Sequence, residues 1–370
     1  MSLTISVPDS LRMSIEAASG GAQTVLYSAL GQPTFMDIIP QFTGAAVGVT
    51  GYTDPHPMFY GQDGTAKSEY FFGTYPGVVK NGELLSLPGQ DPANTLNHDQ
   101  FVAYARACGA GHHVISNACY AGIALWCRMN SFAPRGNTNY GAAHDAAWES
   151  GRRSDGLAPG LASGSARTLT GSGPVSWRHN NSSTGIADLV GNVWEWSPGM
   201  RINAGEIQVL RNDAASTVPK NDGVINTIDM SAGSSKWWAI DGTAATVAAC
   251  FVTPGSANTV KYATSGSAAQ TLVLGSGADF EGMASYVTGA GALMTLKALG
   301  LMPVASLLGG TIATPAANSD IFYVDVTGER LPFRLGNWSF GASAGLSALY
   351  LGSVRSFANV DIGARPGFVR

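Results

Sequence analysis

Hydrophobic positions at helical spacing predict four helices in this chain. The first follows Asp9, a residue suited to capping a helix, and stops at Gly20. Residues 98–109 and 117–130 each place apolar side chains on one helical face, and residues 280–301 form the fourth predicted helix. These segments are separated by long stretches without helical periodicity, so helices make up only part of the fold.

Short runs of alternating or clustered apolar residues predict β-strands at 24–27, 35–39, 247–252, 270–274 and 321–326. Residues 52–92 contain further aromatic strands between turns, one of them at Asn81-Gly82, whereas 136–173 is almost entirely turn-forming. Separate helices and strands of this kind indicate an α+β fold. We expect a short N-terminal module at 1–45, a main domain at 46–370 and a surface insertion at 201–277.

The amino-acid composition indicates a globular protein that is rich in loops. The chain has 370 residues, of which 45% are hydrophobic, only 12% are charged and 47 are glycine. A net charge of −4 without any Lys/Arg run argues against a nucleic-acid partner, whose phosphates require a basic surface. The apolar stretch 290–317 is interrupted by Lys297, Pro303 and Pro315, which predicts a buried helix and a loop, with no membrane insertion.

The four cysteines form no CxxC pair, so we predict buried free thiols and expect neither a structural zinc site nor a redox motif. His112-His113 has no third ligand at suitable spacing, and we expect turn or surface histidines there. Residues 1–21 lack an apolar run behind a basic start, so no secretory signal peptide is predicted.

Residues 331–370 interleave two kinds of position. Glycines, alanines and aliphatic residues form one set and suggest a fixed framework. The other set follows no packing period and has the Tyr/Ser/Gly/Asn-rich character of adaptable binding surfaces. Its twelve members, our candidate ligand-binding residues, are Leu335, Ser339, Phe340, Ser343, Ser347, Tyr350, Gly352, Ser353, Ser356, Phe357, Asn359 and Asp361.

Residues 185–196, Gly-Ile-Ala-Asp-Leu-Val-Gly-Asn-Val-Trp-Glu-Trp, resemble the signature of formylglycine-generating-enzyme-like domains, a branch of the C-type lectin fold. Gly191 and Asn192 are suited to a tight turn with positive φ, and we expect Asp188 and Glu195 to anchor loop amides. The resemblance implies a C-type lectin-like fold with a short N-terminal module and loop insertions. Carboxylate, amide and carbonyl oxygens in this segment leave room for a structural calcium ion.

Residues 117–141 and 329–366 resemble variable proteins of diversity-generating retroelements, of the phage and prophage type that includes major tropism determinants. Both resemblances together cover roughly residues 50–370. They imply that error-prone reverse transcription at template adenines rewrites the variable region, while the fold persists. The implied role is receptor binding at a phage tail, within a virion or encoded by a prophage. A host cell-surface protein or glycan would be the partner, and trimeric or fibre-array display would multiply weak contacts.

The identities of the candidate residues agree with such mutagenesis. AAC or AAT codons changed at their first two bases cannot encode Lys, Gln, Glu, Met or Trp, and none of these occurs at the twelve positions. Serine, the most frequent of them, is also common in ordinary loops. The agreement supports the hypothesis.

Two alternative functions remain open at the level of sequence. Formylglycine-generating enzymes need two reactive cysteines near the C-terminus, whereas no cysteine follows Cys250, so we expect neither oxidase activity nor a required cofactor. Calcium-dependent sugar binding is also unsupported, because the EPN, QPD and WND tripeptides are absent. The second alternative is a structural virion protein whose C-terminal face contacts another virion component.

Overall fold

A computed structural model describes residues 9–61, 63–211, 228–262, 269–273, 287–302 and 320–370. Helices and mostly antiparallel sheets together confirm the α+β class. The α-helices within these residues are α1 (Ser10–Ser19), α2 (His98–Ala107), α3 (Asn117–Met129) and α4 (Ala290–Ala298). The strands are β1 (Gln23–Tyr27), β2 (Pro33–Pro40), β3 (Glu69–Gly73), β4 (Gly77–Lys80), β5 (Glu83–Ser86), β6 (His112–Val114), β7 (Trp194–Trp196), β8 (Met200–Asn203), β9 (Glu206–Leu210), β10 (Trp237–Ile240), β11 (Phe251–Val252), β12 (Ala269–Val273), β13 (Ile321–Asp325), β14 (Glu329–Arg334), β15 (Leu349–Ser353), β16 (Ile362–Gly363) and β17 (Pro366–Phe368).

Local signals placed the first three helices correctly. Asp9 caps α1 by accepting the Arg12 amide at 3.0 Å, and Gly20 ends the helix in the left-handed region at φ 62°. Asn97 and Gln100 form a capping box at the start of α2. The fourth helix is shorter than predicted in the described residues, and positions 280–286 lie outside them.

Five antiparallel strands form one sheet in the order β1-β2-β3-β17-β6. Strand β2 belongs to the predicted N-terminal module, yet it pairs with β3, with Ile38 opposite Phe71. Strands from both sides of the predicted boundary at residue 45 therefore belong to one sheet, and the predicted N-terminal module is not a separate unit. Strand β17 lies between β3 and β6, which ties the end of the chain to its beginning.

The larger sheet contains ten strands and carries the C-terminal region. Its main path runs β11-β10-β9-β8-β14-β15-β13-β12, with β7 beside β14 and β16 beside β7. Strands β8 to β11 come from the predicted surface insertion, but Ile202, Ile207 and Ile240 are fully buried in the core. These strands therefore extend the sheet, and the surface position predicted for them is wrong, while the insertion itself stays a prediction. Residues 212–227, 263–268 and 274–277 lie outside the described residues.

Strands β13, β15 and β14 separate two parts of the core. On one face, Phe322 and Leu349 pack in the same buried cluster as Leu296 of α4. On the other face, Phe333 lies in a cluster with the buried Trp194 and Trp196 and with half-buried residues. This second face is only partly covered, and it is the one that the C-terminal loops surround.

Other predictions had mixed outcomes. Asn81-Gly82 forms the β4–β5 turn with positive φ at both residues, as expected. Residues 247–252 begin with a short 3₁₀ turn and only then form β11. Residues 136–173 contain no α-helix or extended strand, and the buried guanidinium of Arg153 organises part of them by donating hydrogen bonds to several loop carbonyls.

All four cysteines are free and buried, as predicted. His112 and His113 lie in β6 and are buried, so their placement in a turn or on the surface was wrong. The His113 ring lies 2.6 Å from the Tyr70 hydroxyl and 2.9 Å from the Gly111 carbonyl. In the described ranges, no helix is long and apolar enough to cross a membrane.

Candidate ligand-binding face

The signature turn at residues 185–196 adopts the geometry that its sequence predicts. Gly191 and Asn192 have φ values of 70° and 62°. The Asn192 side-chain oxygen accepts hydrogen bonds from the Thr168 amide at 2.8 Å and from the Asn137 side chain at 3.1 Å. The turn thereby joins the irregular loop 136–173 to β7.

The two carboxylates of this turn have different roles. Asp188 accepts the Gly171 amide at 2.7 Å, so it anchors a loop amide as expected. Glu195 instead forms a buried ion pair with Arg365 at 2.8 Å and accepts the Tyr120 hydroxyl, which corrects its predicted role. Both carboxylates lie in the interior, where an unpaired charge is costly, and Glu195 therefore requires its guanidinium partner.

The calcium site suggested for this turn stays a prediction. In the part of the chain that the structure describes, no three His, Cys, Asp or Glu side chains form a cluster suited to a metal ion. Arg365 donates to the Asp188 carbonyl at 3.2 Å and so places a positive charge beside the turn. The Asn192 side-chain oxygen already accepts two hydrogen bonds from protein donors.

The twelve candidate residues are not equally accessible. Four are exposed: Ser339, Ser356, Phe357 and Asn359. Six are half-buried: Phe340, Ser343, Ser347, Tyr350, Gly352 and Asp361. Two are buried: Leu335 and Ser353. Ten of the twelve candidate side chains therefore have access to solvent.

Leu335 is a correction to the predicted binding surface. It is only 1% exposed and packs in the buried cluster that contains Ile115 and Tyr120. Its backbone has φ 83°, and its carbonyl accepts the Gly191 amide at 3.1 Å, which holds the strand end against the signature turn. Ser353 is buried as well, because it is the last inward-facing residue of β15. Neither side chain can contact a ligand in this conformation.

Three aromatic candidates from separate parts of the C-terminal region converge on one cluster. The Phe340 and Tyr350 rings lie 5.0 Å and 5.8 Å from the Trp194 ring. The Phe357 ring lies 6.3 Å from the buried Phe333 ring. Phe333 belongs to β14, which pairs with β7 on one side and with β15 on the other. The fold therefore gathers these side chains around a fixed aromatic base, although 17 positions separate Phe340 from Phe357.

A polar network fixes the loops beside this aromatic cluster. Asn337 donates to the Asp361 carboxylate at 2.6 Å, and its own side-chain oxygen accepts the Ser339 amide at 2.9 Å. The Asp361 carbonyl accepts the Trp194 amide at 2.8 Å. Burial raises the pKa of Asp361, while the bond from Asn337 lowers it. Asp361 therefore acts as a loop anchor as well as a candidate contact.

A shallow groove of about 370 Å³ borders the same face. It is lined by Asn97, Asp99, Glu329, Arg330, Val354, Arg355 and Ser356. Its charges are largely neutralised within the chain, since Arg355 pairs with Glu329 at 2.9 Å and with Asp99 at 2.8 Å. Arg330 pairs with Asp325 at 2.7 Å, so neither basic group of the groove is left for an anionic ligand. The ion pairs of Arg355 hold loop 354–361 against α2 and β14.

Three of the four buried cysteines have thiols whose pKa is raised by burial. Burial raises the pKa of Cys108 to about 12 and that of Cys250 to about 11, and it raises the pKa of Cys127 further. A thiol is nucleophilic or metal-binding mainly as the thiolate. These three side chains are thus suited to packing, and thiol oxidation chemistry has no support at their positions.

A buried aspartate lies beneath one candidate loop and should make stability depend on pH. Asp320 accepts the Ser347 amide at 2.7 Å. Burial raises the pKa of Asp320 to about 7, although the Arg128 guanidinium opposes this shift. An unfolded aspartate titrates near pH ~4, so the stabilisation linked to this proton is complete below pH ~4 and is lost as pH rises through about 7.

We therefore expect Asp320→Asn to gain stability relative to the native protein between pH 5 and 8, by up to roughly 4 kcal/mol. Urea unfolding at several pH values measures this difference. Asp63→Asn is the matched control, because a hydrogen bond from Lys67 lowers the Asp63 pKa to about 2, so the effect of this substitution on stability is constant between pH 5 and 8 and changes only at lower pH. Parallel pH curves for the Asp320 variant and the native protein would contradict the prediction.

Sequence patterns did not identify the residues that support and extend the face. Trp194 and Phe333 form its base, and Tyr323 of β13 stacks on Tyr350 with ring centroids 4.5 Å apart. Alternation in β13, where Phe322 and Val324 are buried and Tyr323 is half-buried, was the available signal.

No protein-family model matches this chain, and no curated protein is similar enough to count as a match.

Proposed function

We propose that this chain is a diversified receptor-binding protein with a C-type lectin-like fold of the formylglycine-generating-enzyme-like branch. The observation that carries the proposal is the convergence of Phe340, Tyr350 and Phe357 on a half-open face. In this proposal, retroelement mutagenesis exchanges residues of the C-terminal region and so retargets the face. Its setting is a phage tail, with a host cell-surface protein or glycan as partner.

The distribution of burial supports a division between framework and binding residues. Buried framework residues of the C-terminal region include Ala344, Ala348, Leu349, Leu351, Ile362 and Arg365. Ten candidate positions between and beside them reach solvent, and exchanges should cost least stability at the four exposed ones, Ser339, Ser356, Phe357 and Asn359. Four alanine and valine residues of the framework set are also exposed, namely Ala342, Val354, Ala358 and Val360, and they can contribute fixed contacts at the margin.

The chemistry of the face suits recognition of a neutral or mixed surface. Phe340, Tyr350 and Phe357 supply contact area, and serine, asparagine and aspartate supply adaptable hydrogen bonds. Half-buried aromatic anchors lose little conformational entropy on binding, because neighbouring rings already restrict them. Weak individual contacts of this kind gain strength through trimeric or fibre-array display.

An oxidase of the formylglycine-generating type finds less support. The sequence has no cysteine after Cys250, and burial raises the pKa values of Cys108, Cys127 and Cys250. Thiol oxidation would require an accessible thiolate. The binding hypothesis needs no such group.

Sequencing the locus in sibling clones tests the proposal directly. We expect replacements concentrated at the ten accessible candidate positions, only apolar residues at Leu335, and a near-copy of the coding segment beside a reverse-transcriptase gene. The buried location of Leu335 explains the restriction at that position. An invariant C-terminal face without such a template would refute diversification and favour the structural virion role.

A further inference from the structure

Tyr323 and Gly352 both pack against Tyr350 on the candidate face. Strands β13 and β15 run parallel with Tyr323 opposite Tyr350, and the two rings stack at 4.5 Å with an interplanar angle of 11°. Gly352 lies two residues beyond Tyr350 on the same side of β15. Tyr323 lies outside the predicted variable region, so it is a fixed neighbour of two positions that are expected to vary.

The stacked rings occupy the space above Gly352. A Cβ atom at this position would lie 2.5 Å from Cε1 of Tyr323 and 2.8 Å from Cε1 of Tyr350. Contacts this short are not tolerated, so even alanine at position 352 would displace at least one ring. The Tyr350 ring cannot move towards Trp194 or Phe333 without displacing these core side chains, because both rings already lie within about 6 Å of it.

We propose that Tyr323 is a fixed specificity-determining residue of the face, and that the side chain at position 352 sets the orientation of the residue at position 350. With glycine, the two tyrosines form a closed, flat pair over β15. With a larger residue, the pair opens and the same Tyr350 presents a different surface to the ligand. This inference rests on the proposed function, since it concerns how that binding face changes shape.

One consequence is that positions 350 and 352 do not vary independently. A bulky residue at 352 is compatible with a small residue at 350, whereas two bulky residues compete for the space beside Tyr323. Exchange of one residue therefore alters two parts of the surface. Fewer combinations of residues at positions 350 and 352 are therefore allowed than if the two positions varied independently. Each exchange, however, changes the shape of the binding surface more than an exchange at an independent position would.

A ligand-free experiment tests this coupling in the full-length chain. Gly352→Ala should lower the thermal unfolding midpoint by about 2–5 °C and reduce the ring-current shifts of Tyr350 in NMR spectra of ring-labelled tyrosine. In a Tyr323→Ser/Tyr350→Ser background, the same change should leave the midpoint unaltered, because both obstructing rings are absent. Gly233→Ala is the matched control, since a Cβ atom there would meet no described atom within 4 Å and the φ of Gly233 is not left-handed.

The outcomes separate this inference from the proposed function. Equal loss of stability in both backgrounds, or unchanged Tyr350 shifts in Gly352→Ala, would overturn the coupling and leave the binding hypothesis intact. A selection for protease resistance, using a library randomised at 350 and 352, provides a second measurement. We expect aromatic residues at 350 to co-occur with glycine at 352; independent frequencies would refute the inference even if the locus proves to be diversified.

Discussion

Replacing Arg365 with methionine should lower the free energy of unfolding by about 3–5 kcal/mol. Methionine keeps much of the side-chain volume but removes the partner of Glu195, whose carboxylate is 1% exposed. It also removes hydrogen bonds to the Gly73 carbonyl at 3.1 Å and to the Asp188 carbonyl at 3.2 Å. Urea unfolding followed by circular dichroism measures the change.

Lys67→Met is the control for this prediction. Lys67 pairs with Asp63 at 2.7 Å, but the Asp63 side chain is 54% exposed. Exposed pairs contribute little, so we expect a loss below about 1 kcal/mol. Adding Glu195→Gln to Arg365→Met should recover part of the stability, because the buried charge is then removed. Equal losses of unfolding free energy in Arg365→Met and Lys67→Met would contradict the prediction.

The ion pair between Arg365 and Glu195 explains how the fold can tolerate exchanges of the candidate binding side chains. It links the C-terminal segment to the signature turn at Glu195, to β3 at Gly73 and, through the Glu195 carboxylate, to Tyr120 of α3. A second buried guanidinium, that of Arg334, binds the side-chain oxygen of Asn117 at 3.0 Å. These contacts hold the base of the C-terminal region without using any candidate binding side chain.

The parts of the fold that sequence predicted well depend on local interactions. Asp9 and Gly20 determine the ends of α1, and Asn81-Gly82 determines the β4–β5 turn, through contacts with residues close in sequence. The signature turn was predictable for the same reason, because the left-handed backbone at Gly191 and Asn192 is a local requirement.

Long-range pairing was not predictable in this way. Nothing local indicates that β2 pairs with β3 across residue 45, or that β8 joins β14 far along the chain, with Arg330 opposite Ile202. Leu335 shows the same difficulty within the candidate site. Its irregular position in the pattern suggested a surface residue, whereas its left-handed backbone turns the side chain into a core that distant segments build.

The structure also changes which substitution should test binding. Removing Phe340, Tyr350 and Phe357 together would not isolate recognition, because Phe340 and Tyr350 pack against Trp194 and contribute to the core. Truncation of such half-buried aromatic residues typically costs stability as well as contacts. Phe357 is different, since 42% of it is exposed and its nearest ring neighbour among the described residues is 6.3 Å away.

Phe357→Asp should therefore weaken binding at least ~30-fold while changing the free energy of unfolding by less than about 1 kcal/mol. The charge would have to be desolvated at a contact where the native chain buries an aromatic ring, which penalises the complex far more than the free protein. Titration of purified protein onto bacterial cells that bind the native chain measures the affinity. Val175→Asp, at an apolar residue 52% exposed outside the C-terminal region, should leave binding unchanged. Native affinity in Phe357→Asp, or an equal loss in both variants, would move the recognition surface away from this face.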